Sequence, residues 1–82
     1  MMMKGITIGS TNGDKADMTP LLVQVANKYA SSIYLTRDDV KVNVKSIMGM
    51  LALSLKKKDV ITVTAEGQDE EEALAAIERF LA

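Results

Sequence analysis

The segment from Gly13 to Pro20 combines charged side chains with the signals of a helix start. It reads GDKADMTP, so two carboxylates and one lysine precede a proline that suits a first helical turn. Helix starts attract anions because their first backbone N–H groups have no partner within the helix. Two interpretations are open at this stage: a phosphate-binding or catalytic site, or a helix start alone.

The amino-acid composition excludes most types of catalytic site. The chain has no histidine and no cysteine, which excludes His-dependent triads, thiolate nucleophiles, disulfides and thiolate metal sites. Gly5, Gly9 and Gly13 are spaced by four and lack the arrangement of a phosphate-binding loop. A Ser–Lys dyad is formally open, but Ser46 is better explained as a helix cap. We therefore expect no enzymatic activity, no cofactor and no metal ion.

Length and charge narrow the class of protein further. A chain of 82 residues predicts one domain, 1–82, with one core. The net charge of −1 argues against electrostatic binding to nucleic acid. The sequence has no apolar run of about 18 residues and no signal peptide, so we expect a cytoplasmic protein without a membrane span.

Hydrophobic periodicity predicts the element order β-α-β-β-α-β-α. Alternating apolar residues predict strands at 4–8, 32–36, 40–44 and 60–65. Helical spacing predicts a helix from Met18, a short helix from Ser46 to Leu53 and a last helix after Asp69. Asp69 also has the spacing of a capping box with Glu72. The expected fold class is α+β, a four-stranded antiparallel sheet covered on one face by three helices, with Lys41, Asn43, Thr62 and Thr64 on the wet face.

The short helix carries more apolar residues than a small core needs. Met50 and Leu53 suffice to bury it, which leaves Ile47, Met48 and Leu51 on another face. An exposed apolar cluster on a small protein usually marks a binding surface, and methionine suits surfaces that adapt to partners. The alternative is a helix that is buried all round.

Three segments resemble the histidine-containing phosphocarrier (HPr) family of the bacterial sugar phosphotransferase system. Residues 45–49, KSIMG, followed by an aliphatic helix, resemble its regulatory-serine segment. Residues 22–29 resemble its first helix, and residues 67–74 resemble the entry to its last helix. The match runs from about Lys4 to Leu81 without an evident gap. The resemblance implies the family's open-faced β-sandwich.

The first site that the resemblance implies is a histidine that enzyme I phosphorylates. This histidine then passes the phosphoryl group to sugar-specific enzyme II components. The family signature Gly-(Ile/Leu)-His-Ala-Arg-Pro aligns with residues 13–18, GDKADM. Lys15 stands at the histidine position and Asp17 at that of the phosphate-binding arginine. A lysine with a pKa near ~10.4 is a poor phosphoryl acceptor at neutral pH, and Asp17 repels phosphate. We expect no phosphorelay, the alternative being a phosphocarrier that uses Lys15 as an unusual acceptor.

The second implied site is Ser46. In Gram-positive relatives an HPr kinase/phosphorylase modifies this serine, and the phosphorylated protein acts with a catabolite-control transcription factor. A phosphate at a helix start meets free N–H groups, with Lys45 adjacent, and Ile47, Met48 and Leu51 would contact the partner. The alternatives are that Ser46 only caps its helix, or that the chain is a diverged interaction module with neither phosphosite active.

A histidine-lacking subgroup, the catabolite-repression HPr-like proteins (Crh), keeps the regulatory serine and works only in regulation. The chain resembles this subgroup but has Lys15 where glutamine is expected, and Asp17 and Met18 where arginine and proline are expected. The family arginine also takes part in contacts around the phosphoserine, so Asp17 is expected to weaken transcription-factor binding. Asp38 and Asp39 replace a frequent Asn-Gly turn, which predicts a distorted hairpin.

Overall fold

A computed structural model of the protein describes residues 1–9, 18–53 and 58–81. The elements in chain order are β1 (Met2–Thr7), α1 (Met18–Ala26), β2 (Ser32–Arg37), β3 (Val40–Asn43), α2 (Ile47–Leu53), β4 (Val60–Glu66) and α3 (Glu70–Leu81). This is the order that the periodicity predicts. In these three ranges no helix is both long and apolar enough to cross a membrane.

The four strands form one antiparallel sheet in the order β1-β4-β2-β3. The first strand begins two residues earlier than predicted, because β1 pairs along β4 from Met2 opposite Ala65 to Thr7 opposite Val60. Helix α3 packs on β1 and β4, while α1 packs against α2 and α3. The predicted α+β fold, an open-faced β-sandwich with its helices on one face, is confirmed.

Alternate residues of the strands supply the sheet side of the core. Ile33, Leu35, Ile61, Val63 and Ala65 point inward and are buried, as period-two patterning requires. The helices contribute the other side, namely Leu22, Ala26, Met50, Leu53, Ala73, Leu74, Ile77 and Leu81. Burial of each Val, Leu, Ile or Met side chain contributes about 1.5–3 kcal/mol, which makes this layer the main hydrophobic contribution to folding.

The second face of the sheet carries polar side chains. Lys41 and Asn43 are exposed on β3, as predicted, whereas Thr62 and Thr64 on the central strand β4 are half-buried by their neighbours. The Lys41 ammonium lies 4.8 Å from the centroid of the Tyr34 ring, a cation–π distance. No helix needs to cover such a face.

The β2–β3 hairpin is regular, so the prediction that the two aspartates distort it is wrong. Arg37 pairs with Val40, which leaves a two-residue loop of Asp38 and Asp39. Asp38 adopts φ 56°, while Asp39 has no positive φ. Aspartate tolerates the left-handed region better than most residues, and this tolerance lets the turn close without glycine.

Glycine substitutions in this loop are expected to have opposite signs. Asp38→Gly should raise the free energy of unfolding by about 0.5 kcal/mol, because relief of left-handed strain exceeds the added entropy of the unfolded chain. Asp39→Gly adds only the entropy and should lower it by about 0.5–1 kcal/mol. Urea unfolding of both variants measures the difference, and equal effects would contradict the turn geometry.

The loops that precede β2 and α3 meet at the Asp69 carboxylate. Its Oδ2 accepts the Ala30 N–H at 2.8 Å, and its Oδ1 accepts the Ser31 N–H at 2.9 Å and the Ser31 hydroxyl. The Ser31 hydroxyl, followed by the Ala30 N–H, lowers the pKa of Asp69 below its ordinary value. These bonds join residues that are 39 and 38 positions apart in the sequence.

The start of α3 differs from the predicted capping box. The Asp69 carboxylate is turned toward Ser31, and the residues that exchange two hydrogen bonds are Gly67 and Glu70, two positions before the predicted pair. There the Gly67 N–H donates to Glu70 Oε1 at 3.1 Å, and the Glu70 N–H donates to the Gly67 carbonyl at 3.3 Å. The long-range bonds of Asp69 explain the difference, because a carboxylate engaged by another loop is not available to its own helix.

Acidification is expected to remove the contribution of Asp69 to stability. Since the pKa of Asp69 in the folded protein lies below its unfolded value of about 3.9, its bonds stabilise fully above that value. They are lost as pH falls through the folded pKa. Ser31→Ala removes the main donor and should make the acid loss of unfolding free energy shallower between about pH 5 and 2. Urea unfolding across this range measures how steeply the unfolding free energy depends on pH. Ser32→Ala changes an exposed neighbour and should keep the wild-type slope. A wild-type slope for Ser31→Ala would contradict the assignment.

Candidate functional site

A sharp bend between β3 and α2 places Ser46 at the start of the short helix. The Asn43 carbonyl accepts the Ser46 N–H at 3.0 Å, and Asn43 Oδ1 accepts the Lys45 N–H at 2.8 Å. Sequence reasoning assigned Asn43 only to the wet face of the sheet. Its position two residues before Lys45 was the missed signal, because asparagine side chains commonly bond the backbone two residues on.

Ser46 is the N-cap of α2, as predicted. Its carbonyl accepts the Met50 N–H at 3.0 Å, and its Oγ accepts the Gly49 N–H at 3.3 Å. The residue is exposed, and the first turn of α2 contains no acidic side chain. The Ser46 hydroxyl therefore lies at the positive end of a helix, on an exposed residue and without a carboxylate in that turn to repel an anion.

Lys45 is half-buried, and its ammonium is engaged inside the protein. Nζ donates to the Tyr29 carbonyl at 2.6 Å, which ties the loop after α1 to the start of α2. The sequence predicts Lys45 as a partner-binding residue beside Ser46. An ammonium has three N–H donors, so the bond to the Tyr29 carbonyl leaves donors that a partner can use.

Three apolar side chains on the solvent side of α2 form a surface that we call the α2 patch. Ile47, Met48 and Leu51 are 39%, 77% and 52% exposed, whereas Met50 and Leu53 are buried. This division follows the predicted helical spacing, and the alternative of a helix buried all round is wrong. The α2 patch adjoins Ser46 along the chain, so a partner can contact both together.

Arg37 holds the other end of α2. Its Nη2 donates to the Leu53 carbonyl at 2.6 Å, and its Nη1 lies 2.8 Å from Asp59 Oδ2 in an ion pair. Because α2 has no basic residue in its own last turn, this cation from β2 offsets the negative helix end. The sequence pattern predicts Arg37 in the hairpin turn and gives no signal for this role.

The other predicted site falls outside the structure. Lys15 and Asp17 precede Met18, where α1 begins, and both lie outside the described residues. Within ranges 1–9, 18–53 and 58–81 no group of three or more acidic, histidine or cysteine side chains could hold a metal ion. Of the predicted site residues, the structure describes Ser46, Lys45 and the three members of the α2 patch.

Comparison with known proteins gives consistent matches along nearly the whole chain. The family model described as the PTS HPr component phosphorylation site matches residues 2–82. The HPr-like protein Crh of Halalkalibacterium halodurans is 38% identical over 81 residues, covering 99% of this chain and 96% of that protein. The phosphocarrier protein HPr of Treponema pallidum is 39% identical over 80 residues, covering 98% and 91%.

The same likeness holds in three dimensions. The crystal structure of a phosphocarrier protein HPr from Bacillus anthracis superposes with a TM-score of 0.91 at 37% identity, covering 99% of this chain and 96% of that one. Identity above 30% over almost the full length of both proteins, on a shared fold, goes beyond a likeness of architecture. The chain therefore belongs to the HPr phosphocarrier family of the sugar phosphotransferase system.

Proposed function

We propose that the protein is a non-catalytic, cytoplasmic regulator in carbon catabolite control, phosphorylated on Ser46 and bound by protein partners through the α2 patch. The observation that carries the proposal is the exposed Ser46 hydroxyl at the start of a helix whose solvent face is apolar. Membership of the family and the likeness to a Crh protein support it. The partners proposed are an HPr kinase/phosphorylase and a catabolite-control transcription factor.

Phosphorylation fits the chemistry of this helix start. A phosphate adds about −1.5 to −2 charges at neutral pH and brings three strong acceptor oxygens. The hydrogen bond that it would disturb, from the Gly49 N–H to Ser46 Oγ, is long at 3.3 Å. The added charge would be favoured by the helix dipole, so modification need not unfold α2.

The α2 patch offers a partner an apolar contact surface beside Ser46. A phosphate beside a large apolar side chain offers both a charge-assisted contact and a desolvated one. Met48, 77% exposed, is the most accessible member of the α2 patch and the best candidate for the central contact.

Relay through the family's phosphohistidine site is not part of this function. The chain contains no histidine, and the resemblance to the family signature places Lys15 at the acceptor position. An ammonium has no free lone pair with which to attack a phosphoryl group, and only a small fraction of lysine is neutral at pH 7.

A second candidate function is constitutive binding through the α2 patch, without phosphorylation. The bond from the Gly49 N–H to Ser46 Oγ favours it, because capping alone explains a serine at this position. A pull-down separates the two functions: constitutive binding predicts the same partners for wild type and Ser46→Ala, and their loss with Met48→Asp.

Incubation with an HPr kinase/phosphorylase and ATP, followed by intact mass measurement, tests the proposed function. We expect one added phosphate, about 80 Da, on the wild-type protein and none on Ser46→Ala. Ser32→Ala removes another exposed serine and is the matched control, which should be modified like wild type. An unmodified wild-type protein, or a phosphate that persists in Ser46→Ala, would overturn the assignment.

A further inference from the structure

A groove of about 270 Å³ lies between the end of α1 and the second half of α3. It is lined by Val25, Lys28, Tyr29, Ala76, Arg79 and Phe80. No residue of the α2 patch lines it, and the proposed function of Ser46 does not use it. The small side chain of Ala76 leaves space between the larger residues around it.

The walls of the groove are aromatic and firmly supported. The chain has three aromatic residues, and two of them, Tyr29 and Phe80, lie here. Both are half-buried and pack against the core together with Val25. Tyrosine, phenylalanine and arginine are residue types enriched where proteins bind one another. The aromatic rings offer large contact areas at low entropic cost.

The rim of the groove is cationic. Lys28 and Arg79 are both exposed, and within the part of the chain that the structure describes neither makes an ion pair. The acidic residue next in sequence to Arg79, Glu78, is bound to Lys4. Two such cations beside apolar walls complement a ligand that carries both carboxylates and an apolar side chain.

The small volume and open shape of the groove favour one class of ligand. Sites for drug-sized molecules and cofactors occupy about 300–1,000 Å³ and enclose most of the ligand. The groove has about the smallest volume of such sites and is open to solvent, which suits one or two side chains of a larger partner better than an enclosed small molecule. We propose that the groove between α1 and α3 is a second docking site, which binds an acidic protein segment through an apolar anchor residue.

The site extends the interaction surface beyond the α2 patch. The anchor side chain packs between Tyr29 and Phe80, while carboxylates on either side of it pair with Lys28 and Arg79. Lys45, bonded to the Tyr29 carbonyl at 2.6 Å, fixes the backbone of one wall. Because neither Ser46 nor the α2 patch lines the groove, docking does not require Ser46 to be phosphorylated.

Titration of the ¹⁵N-labelled protein with the peptide acetyl-EEFLEE-amide tests the proposal. Backbone amide shifts are expected to concentrate at the groove residues and to saturate below about 1 mM peptide. Lys28→Glu and Arg79→Glu should each raise the dissociation constant at least about tenfold, and added salt should weaken binding. Lys41→Glu makes the same charge change on the far face of the sheet and should alter it less than about twofold.

Two further arms show whether binding depends on the charge of the peptide and on Ser46. The peptide acetyl-KKFLKK-amide should not bind. Ser46→Ala should bind acetyl-EEFLEE-amide like wild type, so binding at the groove can be established even if Ser46 is not phosphorylated. Absence of binding by the acidic peptide, shifts confined to residues 47–51, or equal weakening by Lys41→Glu would each overturn the proposal.

Discussion

Gly67→Ala is expected to lower the free energy of unfolding by about 2–4 kcal/mol, out of a total of about 5–15 kcal/mol for a small domain. Gly67 adopts φ 154°, where a side chain is strained. A Cβ built at this position would lie 2.7 Å from the Ser31 Cα and 2.5 Å from its Oγ. Contacts this short require the backbone to move.

Movement is costly because Ser31 is fixed. The residue is buried, and both its N–H and its hydroxyl donate to the Asp69 carboxylate. Shifting it to admit a methyl group would break the junction between the loops before β2 and α3. Urea denaturation with the midpoint and slope fitted together measures the loss.

Gly49→Ala is the matched control for this prediction. A Cβ at Gly49 would meet its nearest atoms at 3.6–3.9 Å, which are ordinary contacts. The same substitution in a helix removes a flexible residue, and it should raise the free energy of unfolding by about 0.5–1 kcal/mol. Similar destabilisation by both substitutions would show that the junction around Ser31 is not the cause.

Met48→Asp is expected to lower kcat/KM for phosphorylation of Ser46 by about 30-fold or more, while leaving stability within about 0.5 kcal/mol. Truncation of a central interface residue costs about 2 kcal/mol or more, which corresponds to about this factor. Stability is preserved because Met48 is 77% exposed and an acidic residue suits the first turn of a helix. Steady-state kinetics of the kinase reaction provide the measurement.

Two further variants separate apolar contact from charge. Met48→Ala removes the side chain without adding charge and should also reduce kcat/KM, by about tenfold. Met3→Asp places the same charge at a methionine that is 63% exposed on β1, away from α2, and should leave the kinetics within about twofold of wild type. Unchanged kinetics for Met48→Ala would contradict the role given to the α2 patch.

Local patterns predicted the fold because each element has one apolar face. The spacing of Met50 and Leu53 against Ile47, Met48 and Leu51 sorted α2 into buried and exposed sides, and the structure shows that sorting. Strand alternation similarly identified the inward residues. The position of Ser46 as a cap also followed from local sequence, since capping depends on residues within one turn.

Contacts between distant segments escaped sequence reasoning. The bond from Lys45 to the Tyr29 carbonyl spans 16 residues, and that from Ser31 to Asp69 spans 38. A single sequence gives no signal for either, because both depend on how the loops meet after the sheet has formed. The same is true of the groove, whose walls come from α1 and α3.

The most direct test of the central claim is a ³¹P NMR spectrum of the protein after parallel incubation with enzyme I and phosphoenolpyruvate, and with HPr kinase/phosphorylase and ATP. We expect no protein signal from the first reaction. From the second we expect one acid-stable phosphomonoester that is absent in Ser46→Ala. An acid-labile phosphoramidate after incubation with enzyme I, lost in a Lys15→Ala variant, would show instead that the protein is a working phosphocarrier and would contradict the regulatory role proposed for it.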